Sequence, residues 1–169
     1  MTLEEKAQFI SEELYHELRC LLGATTVWKI FSNTEKGFDV VVALDSVLIH
    51  ARVLFEFFDS RGERNSTLRV DEFGAADYAS QIYNHWKTSI NNHLMHLDSR
   101  RLKPNNLKKK KGHLNEQPEV FAKEVLRLWL RFESDPNTAD FHKALKDARL
   151  QAILDAKNDA SGRIEPLFT

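Results

Sequence analysis

The chain has 169 residues, 42% of them hydrophobic and 29% charged, with a formal net charge of −1. That length suits a single domain over residues 1–169, burying about 70% of the surface the unfolded chain exposes. The near-neutral charge gives no global drive toward nucleic acid or an anionic membrane. Cys20 is the only cysteine, which excludes an intrachain disulfide and a cysteine zinc knuckle.

In chain order, Thr2 reads as an N-cap, with Glu4 and Glu5 in the first turn, where the helix dipole favours negative charge. The acidic, amphipathic opening MTLEEKAQFI is unlike a secretory signal, and no apolar run approaches the ~20 residues of a bilayer span. A cytoplasmic location is therefore expected. Phe9, Ile10, Leu14, Leu18 and Leu21 repeat at helical spacing, and Gly23 is expected to end that helix. Cys20, inside LRCLLG, reads as a packed thiol. The β-branched stretch ATTVWKIFSN is ambiguous between strand and helix, and its surroundings favour a short helix or a bent continuation. Asn33 to Gly37 reads as a polar turn.

From residue 39 to 59 the chain is apolar nearly all round, the pattern of a central buried helix. Its one polar stripe is Asp45, Arg52, Glu56 and Asp59, with Arg52 and Glu56 one turn apart and able to pair. His50 lies on the other side, among Ala43, Val53, Leu54 and Phe57, where a lone histidine is more often a hydrogen-bonded core residue than a ligand. Ser60 to Ala76 reads as a solvated loop.

A second helix, about residues 77–102, carries the densest chemistry in the chain. Tyr83, Trp86, Ile90, Leu94 and Leu97 fall on one face at 100° per residue, and His85, Ser89, His93, His96 and Arg100 line its flank. Pro104 ends that pattern. A basic loop follows at 100–113, including Lys108, Lys109, Lys110 and Lys111. It reads either as a solvated segment or as a phosphate-contacting RNA arm, and no aromatic interleaves with its charges, as single-strand binding would favour. Pro118 suits the first turn of another helix, which stops at Asp135–Pro136. Thr138 is expected to cap a last helix over 139–156, leaving a tail at 157–169.

These elements predict an all-α bundle of five to six helices, with helix 39–59 at its centre packed on helix 77–102. The histidine ridge lacks HExxH and any carboxylate of its own, so no metal ligands and no cofactor are assigned. Neither a GxSxG elbow nor a Gly-rich phosphate loop is present. Metal-free RNA cleavage is the enzyme chemistry with most support. His96 is a general acid or base near neutral pH, and Arg100, one turn on, is a cation for the phosphate. Small-ligand or metal binding along the ridge is a weaker alternative.

The segments LDSVLIHARVLFEFF and INNHLMHLDSRR, within residues 40–101, resemble a widespread group of uncharacterised bacterial helical proteins. More distantly they resemble the HEPN superfamily of four-helix domains. That resemblance implies a homodimer, a role in toxin–antitoxin or phage-defence systems, and a composite RNase site built on an Arg, a polar residue and, after four to six positions, a His. Here His96 takes the His position, but Asn91 stands in place of the Arg, followed by Asn92. The departure implies a non-catalytic module for self-association or protein binding. His50, Arg52, Asn92, His93 and the four lysines are then its candidate binding residues.

Overall fold

The computed structural model describes residues 1–32, 38–60, 68–95, 114 and 117–164. Among these there is no strand, and the helices pack as an all-α bundle. Thr2 caps α1 (Leu3–Phe9) through a capping box with Glu5. The first rod then loosens into a π-turn at Ile10–Leu14, which buries Ile10 and Leu14, and continues as α2 (Tyr15–Ser32). The ambiguous ATTVWKIFSN segment is thus a helical continuation. Gly23 does not terminate the helix as expected, because a glycine C-cap needs a left-handed turn and here the chain stays helical. A Cβ on Gly23 would meet nothing within 4 Å. Gly23→Ala is therefore expected to raise stability by about 0.5–1 kcal/mol, measurable as a shift of the urea midpoint at unchanged m-value.

Next comes α3 (Phe38–Phe58), packed along α2 and touching the helices at Gln81–Met95 and Pro118–Glu133. The described part of the connection after it, 68–80, is less solvated than its polar composition predicts. A 3₁₀ turn at Val70–Phe73 buries Val70 and Phe73, and Gly74 closes it at φ +83°. Ala75 is buried as well. The amide of Tyr78 donates to the Phe58 carbonyl at 3.1 Å, tying this segment back to the end of α3.

The ridge helix, α4 (Gln81–Met95), starts later than residue 77. Its N-cap is Ser80, whose Oγ accepts from the Tyr83 amide at 3.2 Å, while Asp77 accepts from the Ser60 amide. The end expected for this helix, the basic loop and the Asn33–Gly37 turn lie outside the described residues. α5 (Pro118–Glu133) begins on Pro118 as expected and is strongly amphipathic, burying Phe121, Val125, Leu128, Trp129 and Phe132.

Thr138 is not the cap of the last helix. It is fully buried in a 3₁₀ segment, Pro136–Phe141, and its hydroxyl donates to the carbonyls of Phe132 and Asp135. Asp135 caps this 3₁₀ segment, its side chain receiving the Asn137 amide. α6 (His142–Ile164) follows, so residues 157–164, expected in the tail, are helical. α2 lies between α3 and α6, and the core centres on aromatic rings from α3, the Val70–Phe73 turn and α5.

Candidate interaction face on helix three

The sequence pattern predicts a central buried helix, but α3 packs chiefly on α2, α4 and α5 among the described long helices and is not covered all round. At 100° per residue Val42, Ser46, Ile49 and Val53 share an arc of about 60°. Along that arc Val42 is 48% exposed, Ile49 46% and Val53 37%. Round the rest of the helix Ala43, Leu44, Val47, Leu48, Leu54 and Phe55 are buried, while Val41 is exposed. The helix is therefore apolar on two sides for two reasons: one side is core, and the other faces solvent.

Polar pairs run along both edges of the strip. On the α2 edge, His50 Nδ1 lies 2.7 Å from Glu17 Oε2, with both side chains about four-fifths covered. On the α4 edge, His93 Nε2 lies 2.6 Å from Asp45 Oδ1. Further along that edge, Glu56 Oε1 accepts from Arg52 Nε at 2.9 Å and from the Tyr83 hydroxyl at 3.0 Å. Burial, together with the negative charge of Glu56, pushes the Tyr83 phenol well above its ordinary value, so it stays a neutral donor.

The structure thus brings three of the sequence-identified residues, His50, Arg52 and His93, to the margins of one strip. Each is paired with a carboxylate. Asn92 is exposed on α4, as are His85 and Ser89. Asn91, at the position where the resemblance expects an arginine, buries its side-chain oxygen without a hydrogen bond from the described residues. His96, Arg100, Lys108, Lys109, Lys110 and Lys111 lie outside the described residues.

A second cluster adjoins the His50 edge. The rings of His16 and His50 meet edge-on at 6.3 Å, and Cys20 Sγ is 3.6 Å from His16 Nε2. Burial pushes the Cys20 thiol up and the Glu17 charge adds to this, the opposite of what a nucleophilic thiolate needs. Among the described residues no group of three His, Cys, Asp or Glu side chains is placed to hold a metal ion.

Sequence reading misses the acidic partners because they are remote. Asp45 is 48 residues from His93, and Glu17 is 33 from His50. The strip itself has a signal: apolar or small residues at intervals of four, three and four within a helix whose other positions already supply a core face. What the arrangement offers is an apolar contact surface edged by fixed charges. Among the described residues no helix is long and apolar enough to cross a membrane. No protein-family model, curated protein or solved structure matches the chain.

Proposed function

We propose that this chain is a non-catalytic helical module that acts by contacting protein, either itself or a partner, with the outer strip of α3 as the contact surface. A HEPN-like origin and a role in bacterial stress or phage defence belong to the same proposal. The observation that carries it is the exposure of Val42, Ile49 and Val53 on a helix whose flanking His50, His93 and Arg52 are already joined to carboxylates. Groups held this way position helices and edge a surface.

The competing reading is a metal-independent RNase using His96 and Arg100, with RNA held by the basic loop at 100–113. Wild type and His96→Ala, incubated with RNA across a salt series, separate the two. Absence of cleavage by either protein is the expected result, with His96→Ala changing the melting temperature more than any activity. Cleavage by the wild type that disappears in the variant overturns the proposal. Salt-sensitive RNA binding that survives the substitution assigns an RNA-arm role to Lys108–Lys111, and the chain is then no longer a protein-contact module alone.

A further inference from the structure

We infer that the occupant of the α3 strip is a second copy of this chain, bound through α3 running antiparallel to its partner across a two-fold axis. This rests on the protein-contact reading above and specifies it. The first support is the spacing. The intervals between Val42, Ser46, Ile49 and Val53 are four, three and four, a sequence that reads identically in both directions. In heptad terms these residues occupy d, a, d and a, the two seam positions of a helix pair. Turning one copy end for end places Val42 against the partner's Val53 and Ser46 against the partner's Ile49, each contact occurring twice, as an isologous interface requires. Ser46 is the small residue of the set and faces Ile49, the largest, so the central layers interdigitate.

The second support is charge. In that register the g positions flanking the seam are Asp45 and Arg52, and antiparallel pairing sets Asp45 of one copy beside Arg52 of the other, again twice. Both side chains are about one-third accessible. A parallel arrangement instead faces each g position with the partner's e position five residues on, so Asp45 meets His50, Arg52 meets Phe57, and no Asp–Arg pair forms. The charges therefore choose the orientation, as g-position residues do in helix pairs. Glu56 stands at the next d position, already holding Arg52 and Tyr83, and limits the seam to four layers. Four layers fall well short of the roughly 20–30 residues per side of a standard interface, so the dimer is expected to be weak, with Kd on the order of 100 µM.

The test is sedimentation equilibrium of the full chain from about 10 µM to 1 mM, with four variants. Ile49→Glu places a charge in the seam at a half-exposed site, so it is expected to keep the wild-type circular dichroism and melt while weakening dimerisation at least tenfold. Asp45→Arg and Arg52→Asp each set like charges across the interface and are expected to weaken it. Mixed in equal amounts they are expected to dimerise with one another, because the mixed pair has opposite charges at both positions. The register is read by Val42→Cys/Val53→Cys in a Cys20→Ser background. Within one helix those positions are about 16 Å apart, too far for a disulfide. Oxidised glutathione, which takes up the electrons of the paired thiols, is expected to give a covalent dimer, whereas Val42→Cys alone gives none.

A wild type that stays monomeric to 1 mM overturns the assignment. A dimer unaffected by Ile49→Glu, or cross-linked through Val42→Cys alone, overturns it as well. His96-dependent RNA cleavage overturns the underlying reading instead, whatever the oligomeric state.

Discussion

Phe132→Ala is expected to lower the unfolding free energy by about 3–5 kcal/mol, the largest single loss we foresee in this molecule. Phe132 is fully buried on α5, and four aromatic rings surround it: Phe57 at 5.6 Å, Phe58 at 6.1 Å, Phe73 at 5.8 Å and Tyr78 at 6.3 Å. Three of these four contacts are edge-on or nearly so, the geometry in which aromatic quadrupoles attract. The rings come from α3, the Val70–Phe73 turn and the segment before α4. Collapse into the vacated space would have to move three separate elements. That is why the cost is placed at the upper end for a truncation. Against a typical stability of about 5–15 kcal/mol it is a large fraction, and the melting point is expected to fall by roughly 10–15 °C. Phe132→Leu, which keeps most of the volume, is expected to cost less than half as much. Leu154→Ala, at a residue 52% exposed on α6, is expected to leave the calorimetric melt within a degree of wild type. A Phe132→Ala melt equally close to wild type would show that this cluster is not the centre of the core.

Glu124→Gln is expected to cost about 1–3 kcal/mol at pH 7, with the loss shrinking in acid. Glu124 is a buried carboxylate on α5, holding Arg127 through two bonds of 2.7 and 2.8 Å and receiving the Ser80 hydroxyl at 2.7 Å. Ser80 is the N-cap of α4, so this one acid links the start of α4 to α5. Arg127 holds the Glu124 carboxyl below its ordinary value, Ser80 adds to the effect, and desolvation opposes it. A group depressed on folding takes up its proton more readily in the unfolded chain, so its contribution is complete above the ordinary value and is lost as the pH falls from there through the lower folded value. Starting from that ordinary value of 4.5, the difference between wild type and Glu124→Gln is expected to narrow as the pH is lowered. Denaturant melts at pH 7, 5 and 3 measure it. A difference that stays constant over that range would mean the carboxylate charge contributes nothing and only the shape of the side chain matters.

Much of the architecture was legible in the sequence, because the signals behind it are local. Thr2 with Glu5 three residues on, Pro118 at a helix start and Pro136 after a helix end are backbone chemistry written into consecutive residues. Arg52 and Glu56 pair as their one-turn spacing requires. The long apolar run marked α3 as a helix, but α2 is the one that lies between α3 and α6. Where local reading failed, packing had overruled propensity. Gly23 stays inside a helix because α2 is held on both sides by α3 and α6. Thr138 is drawn from a capping role into the interior by two backbone acceptors. Val70 and Phe73 bring a polar-looking connection into the core by burying their side chains in a single short turn.

The candidate site divides along the same line. The sequence by itself determined that His50, Arg52 and His93 exist on two helices with apolar faces, since residue identity and the 3.6-residue period are enough for that. Only the tertiary structure decided that these three edge one strip, that each is matched to a carboxylate, and that Val42, Ile49 and Val53 are left outside. The physical reason is that a helix with apolar residues all round carries no mark of which sector will be covered. That choice belongs to where α2, α4 and α5 come to rest, through contacts between residues far apart in the chain.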